Sequence, residues 1–226
     1  MHSADGTAIE YLSNGNGPPV LLIPGALATA SGLLPLAAPL ARQYTVHIVQ
    51  RRGRGGSGPQ GDQYGIEREC EDVEAIRAAT GARLLFGHSF GAFLTFIRGV
   101  NPDQTGRLPR WLLRVILPLV IPRAQLRQNL ALMPQAINEH VEVGRLATRL
   151  ADYRGVTAAA LIMRGKGRDA GWQAVGLSRL AETIPWAQTE VFGHLDHFAP
   201  EKKPAEIADT LLRFFAAPAH PRPPAP

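Results

Sequence analysis

Leu84-Leu85-Phe86-Gly87-His88-Ser89-Phe90-Gly91 sets an apolar run of strand length against a serine that has glycine two places away on either side. The run stops at Gly87, and a helix-forming stretch follows over 90–100, so the segment predicts a strand, a sharp turn and a helix. A serine at the apex of such a turn sits in a strained backbone conformation with its oxygen exposed. Flanking glycines let strand and helix approach closely. Roughly 0.06 such patterns are expected by chance in a chain of this composition, so the turn is not an accident of glycine content.

Outward from this turn, branched apolar runs that end in glycine-rich turns alternate with helical stretches. That is the pattern of an α/β fold with a mostly parallel, doubly wound sheet. Strands are expected at 7–12, 20–23, 44–49, 83–86, 159–163 and 189–192, with helices at 66–80, 172–184 and 204–215. In the helix over 66–80, Ile66, Cys70, Val73 and Ile76 form the expected buried stripe, with Cys70 as a small buried thiol. Residues 101–155 break the rhythm: Pro102, Pro109, Pro118, Pro122 and Pro134 punctuate short helical pieces at 111–117 and 138–150. The expected organisation is a core of 1–100 and 156–216, a small helical cap of 101–155 over the functional edge, and an extended or disordered proline-rich tail over 217–226.

Composition narrows the function classes. The chain has 226 residues, 45% hydrophobic and 19% charged, which excludes disorder as its main state and suits one sizeable domain. Its net charge of +5 comes from scattered arginines and only three lysines, Lys166, Lys202 and Lys203, a poor phosphate-binding footprint, so no nucleic-acid partner is expected. The single Cys70 excludes an internal disulfide and a cysteine-based zinc cluster, and it allows a reducing, cytoplasmic compartment. The uncharged stretch 20–41 is broken by Pro24-Gly25, Pro35 and Pro39 and has no basic segment before it, so neither a signal sequence nor stable membrane insertion is expected.

A serine hydroxyl becomes a nucleophile at neutral pH only with a base in hydrogen-bond reach, and that base needs an orienting carboxylate. Two histidines, His194 and His197, follow the last expected strand. His2, His47, His140 and His220 fall in the N-terminus, a strand interior, the insertion and the tail, where structural roles are expected. His88 points along the turn.

The order of 20–25, the segment Val49-Gln50-Arg51-Arg52-Gly53-Arg54-Gly55-Gly56-Ser57-Gly58, the Ser89 turn and the ending Gly193-His194-Leu195-Asp196-His197-Phe198-Ala199-Pro200 resemble the α/β-hydrolase superfamily. They are most similar to its small bacterial esterase-like members. The resemblance implies Ser89 as nucleophile and His197 as base, because relatives commonly place a proline seven residues beyond that histidine and residue 204 is Pro204. It implies an acid in the loop after strand 159–163, where Asp169 is the first carboxylate. Asp196 is its competitor. The implied oxyanion donors are the backbone N–H groups of Phe90 and Ala26.

The sequence departs from the family at Pro24, where many relatives carry histidine, and at Gln50, where an acidic residue often precedes the Arg-Gly segment. Arg51, Arg52 and Arg54 are expected to be structural or solvated. Trp111, Leu112, Val115, Ile116 and Leu119 form an apolar stripe expected to pack the cap. Trp111, Gly25 and His88 are assigned to the substrate-binding surface. The implied activity is hydrolysis of a small or medium carboxylic ester through an acyl-enzyme, with a small-molecule acyl substrate and no metal or organic cofactor. The alternatives are carbon–carbon bond hydrolysis, perhydrolysis or acyl transfer on the same fold, or a non-catalytic ligand-binding protein.

Overall fold

The computed structural model describes residues 1–89, 123–146, 150–156, 158–165 and 172–217. They fall into two compact units, Met1–Gly144 and Arg145–Pro226. The helix expected at 90–100, the cap piece at 111–117 and the tail beyond residue 217 lie outside the described residues.

The first unit holds β1 (Glu10–Asn14), β2 (Pro19–Ile23), α1 (Leu34–Leu40), β3 (Thr45–Gln50), α2 (Ile66–Thr80), β4 (Leu84–Gly87), α3 (Arg123–Ala131) and the start of α4 (Met133–Leu146). Its four strands are ordered β1-β3-β2-β4. β1 runs antiparallel to β3, with Tyr11 opposite Val49, whereas β2 is parallel to both neighbours, Val20 lying beside Val46 and Leu84. A strand flanked on both sides and covered on both faces must be apolar throughout, and Val20, Leu21 and Leu22 are fully buried. Leu21 packs with Ile9, Val49, Ile76 and Ala82; strand alternation sends Val20 and Leu22 to the opposite face. Because β2 lies between β3 and β4, the chain leaves β2 toward one side and later returns on the other. The strand order thus reverses at β2, and open α/β sheets bind ligands beyond the carboxyl ends of the strands at such a switch point.

Several expectations are corrected. β1 occupies Glu10–Asn14 rather than 7–12, because the preceding residues fold back: Gly6 takes a left-handed φ of 82°, and His2 and Ala8 form an isolated antiparallel bridge. The helix expected at 138–150 belongs to α4, where Pro134 sits in the first turn and starts the helix instead of breaking it. Cys70 is exposed, not buried. The buried face of α2 is Glu69, Asp72 and Ile76, so two carboxylates occupy the side that apolar spacing alone assigns to Cys70.

The second unit holds a 3-10 turn (Leu150–Gly155), β5 (Ala160–Arg164), α5 (Trp172–Thr183), β6 (Ala187–Val191), the short α6 (Ala199–Lys202) and α7 (Pro204–Ala216). β5 and β6 are parallel, with Ile162 beside Thr189. The Phe192 N–H donates to the Arg164 carbonyl at 2.9 Å and extends the ladder past the strand ends. α7 opens on Pro204 and buries Ile207, Ala208 and Leu211, with Leu211 one helical turn beyond the first two on the same face. Among the described residues no helix is long and apolar enough to cross a membrane.

Candidate active site

The serine turn grows directly out of β4. The His88 N–H donates to the Ile23 carbonyl at 3.0 Å, carrying the β2–β4 ladder one residue beyond the strand. The next residue, Ser89, has φ of 27°, and among the described residues it alone of the non-glycine residues has a positive φ. That conformation costs an L-residue on the order of 1–3 kcal/mol and persists only where the surroundings over-determine it. One surrounding contact is the loop after β2: a Cβ built on Gly25 would lie 2.5 Å from the Ser89 carbonyl oxygen and 3.1 Å from that of His88. Glycine is required there because no side-chain carbon fits between the two turns. Gly25→Ala should therefore push the turns apart, costing about 1–3 kcal/mol of stability. Activity should fall more than stability predicts; urea titration and steady-state kinetics on the same preparation check this.

Beneath the two turns lies a buried charge network. Arg51, Arg52 and Arg54 are each 2% exposed or less, so they are structural and not solvated. Neighbours in sequence pair with carboxylates one helical turn apart on α2: Arg51 forks onto Glu69 at 2.6 and 2.8 Å, and Arg52 onto Asp72 at 2.7 and 2.6 Å. Arg52 also reaches Asp5 at 3.0 Å. Glu139 of α4 is fully buried and accepts from Arg54 at 2.6 Å while lying 3.1 Å from Arg51. Two of these guanidinium groups also hold the loop after β2. Arg51 donates to the Gly25 carbonyl at 3.1 Å, and Arg54 donates to the Ala26 carbonyl. Gln50 helps from the strand end, its side-chain oxygen accepting the Ala30 N–H at 2.7 Å. An amide thus performs the loop-fixing task at the position where relatives often carry an acid.

Burial works to lower the Arg51 pKa, but the Glu69 and Glu139 carboxylates outweigh it and hold the guanidinium above its ordinary value. Burial likewise works to raise Glu69, and the Arg51 charge and hydrogen bonds with that of Tyr64 overcome it, leaving the carboxyl below its ordinary value. A carboxylate lowered in the folded state contributes stability that is present above the unfolded pKa, near 4.5, and is lost as pH falls through the folded value. Urea midpoints should therefore decline below about pH 4.5, and Glu69→Gln should flatten that decline while lowering the midpoint at pH 7. A slope identical to wild type would show that Glu69 is not a source of the acid lability.

In the second unit, His197 is half-buried in the loop after β6 and meets Phe198 edge to face, with ring centroids 5.7 Å apart. The same loop touches the beginning of the loop after β5: a Cβ on Gly165 would lie 2.6 Å from the Leu195 carbonyl oxygen. The segment that leads to Asp169 thus starts against the backbone two residues before His197. Asp196 lies in the same loop. Its Oδ1 accepts the Phe198 N–H at 2.8 Å and its Oδ2 accepts from Lys202 Nζ at 2.9 Å, so it braces the turn into α6. His194 is exposed and pairs through Nε2 with Glu206 of α7 at 2.7 Å.

Ser89, His88, Gly25 and Ala26 are together in the first unit, and His197 belongs to the second. Asp169, Phe90 and Trp111 lie outside the described residues. Sequence reasoning assigned no arginine-pairing role to Glu69, Asp72 or Glu139. The available signal was two carboxylates three apart on α2, in line with the buried Ile76, facing a run of arginines.

The sequence model of the Alpha/beta hydrolase family matches residues 20–210, spanning both the serine turn and the His197 loop. The chain belongs to that family. It accordingly has the α/β-hydrolase fold. It is 36% identical over 95 residues to N-formylmaleamate deformylase of Pseudomonas putida, a match that spans 40% of this chain and 35% of that relative's length. Among solved structures, an alpha/beta hydrolase from Sphaerobacter thermophilus is 25% identical with a TM-score of 0.67, covering 96% of this chain and 99% of the other. An enol-lactonase from Burkholderia xenovorans, 17% identical, has the same TM-score of 0.67 over 94% and 98% of the two chains and supports the shared fold.

Proposed function

We propose that this hydrolase cleaves a small or medium carboxylic ester through an acyl-enzyme on Ser89. The observation that carries the reading is the strained serine at the end of β4, packed on the glycine of the adjacent loop. In this reading His197 takes the Ser89 proton as the oxygen attacks the carbonyl, then delivers it to the departing alcohol, while Asp169 holds the imidazole tautomer. The N–H groups of Phe90 and Ala26 receive the oxyanion. Water, deprotonated by His197, then releases the acid. Gly25, His88 and Trp111 face the substrate, and 101–155, including α3 and α4, form a small cap. The mechanism closes without a metal or organic cofactor.

The test is covalent labelling by a fluorophosphonate with the modified residue located by mass spectrometry, alongside p-nitrophenyl ester hydrolysis. Label on Ser89 and saturable turnover are expected. A folded protein that neither labels nor turns over would discard the reading. The likeness to N-formylmaleamate deformylase favours N-formyl amides as the second substrate class, reached by the same route through a formyl-enzyme, with the amide nitrogen leaving as it takes the proton from His197. Release of formate from an N-formyl amide faster than of acid from esters would move that class to the front.

A further inference from the structure

The buried arginines under the site do more than bind helices together. The carbonyl of Gly25 and the N–H of Ala26 belong to one peptide unit. In a trans peptide these two groups point in opposite directions, so anchoring one aims the other. Arg51 Nη1 donates to the Gly25 carbonyl at 3.1 Å, and Arg54 anchors the next unit through the Ala26 carbonyl. The Ala28 N–H also donates to the Gly25 carbonyl at 3.3 Å, closing a turn around the same oxygen. Among the described residues the Ala26 N–H itself has no acceptor.

Arg51 is a rigid anchor because Glu69 grips it through two parallel hydrogen bonds and Glu139 neutralises it from α4, with the side chain 1% exposed. A hydrogen bond from a cation also polarises the peptide it reaches, strengthening the N–H at the far end as a donor. The clamped loop lies against the nucleophile turn, as the absence of space beside Gly25 shows.

We infer that Arg51 is a positioning residue for catalysis: by holding the Gly25 carbonyl, it aims the Ala26 N–H at the oxyanion formed on the Ser89 adduct. The inference rests on the ester-hydrolase reading above. It also gives a use to the departure at Pro24, since the anchor of this loop comes from a guanidinium underneath it and not from a side chain preceding Gly25.

The experiment compares Arg51→Lys with Arg52→Lys. Both disturb a buried ion pair to α2, but Arg52 makes no side-chain bond to the Gly25–Ala26 peptides. Urea midpoints, kcat and KM on p-nitrophenyl butyrate, and affinity for an alkyl trifluoromethyl ketone are measured at a temperature where each variant is folded. For Arg51→Lys, kcat should fall about 10–100-fold with KM changed less than about twofold, and ketone affinity should fall in parallel with kcat/KM. Arg52→Lys should lose stability while kcat stays within about twofold. If Arg51→Lys does not fold, Glu139→Gln loosens the same anchor, and its kcat should fall at least about fivefold at constant KM. Arg51→Lys, or Glu139→Gln in its place, with reduced stability and unchanged kcat overturns the inference while leaving the hydrolase reading intact. Wild-type protein without Ser89-dependent turnover removes both.

Discussion

Ser89→Ala should take up no fluorophosphonate and should hydrolyse p-nitrophenyl esters at least about 10⁴-fold more slowly than wild type, with its fold intact. The size of the loss follows from the proposed mechanism: without the hydroxyl no acyl-enzyme would form, and what would remain is the small acceleration that oxyanion donors and binding can supply to attack by water. The fold survives because the strain at this position lies in the backbone and not in the oxygen. Alanine at a φ of 27° is as uncomfortable as serine, so the urea midpoint stays near that of wild type. Ser89→Gly separates the two contributions. It removes the nucleophile equally but relieves the backbone, and it should be more stable than the alanine variant by on the order of 1 kcal/mol. A Ser89→Ala protein that still labels and turns over would mean that the nucleophile lies elsewhere. A Ser89→Gly protein no more stable than Ser89→Ala would mean that the turn carries no strain.

Glu139→Ala should be the most destabilising single truncation in the first unit. Glu139 is fully buried and faces both Arg51 and Arg54. Among the described residues, its loss leaves Arg54 with only the carbonyls of Arg52 and Ala26 as hydrogen-bond partners. Breaking a buried ion pair from one side strands the other charge in a medium that cannot solvate it, at about 3–5 kcal/mol. Against a total stability of about 5–15 kcal/mol, that is enough to leave much of the protein unfolded at 37 °C. Glu139→Gln keeps an acceptor for Arg54 and should lose less. The control is the pair formed by Glu74 and Arg77 on α2, equally short at 2.6 Å but with side chains 59% and 41% exposed. Removing Glu74 should leave the urea midpoint unchanged, since water already screens both charges. Equal midpoints for Glu139→Ala and wild type would show that the buried network is not what holds α4 to the loop after β2.

The serine turn was legible in the sequence because everything that defines it is local. A short apolar strand, two glycines and one serine within eight residues allow few backbone solutions, and Ser89 adopts the positive φ that the motif requires. The order of strands and helices was legible for a similar reason, as period-two runs and glycine stops act over five to ten residues. Pro204 at the head of α7 belongs to the same class of local signal. The charge partners were not legible in this way. Arg51 meets Glu69 across 18 residues and Glu139 across 88; no window along the chain contains both ends of that pairing. For the same reason Cys70 looked buried. Apolar periodicity assigns it to the core side of α2, but the arginines beside β3 draw Glu69 and Asp72 inward and leave the thiol in solvent. By itself, then, the sequence determined the family, the succession of strands among the described residues and the serine turn, all set by short-range backbone constraints. Only the tertiary structure decided that three arginines are buried, which carboxylates neutralise them and which carbonyls they hold, because a buried charge is stable only where the fold gathers its partners from distant parts of the chain.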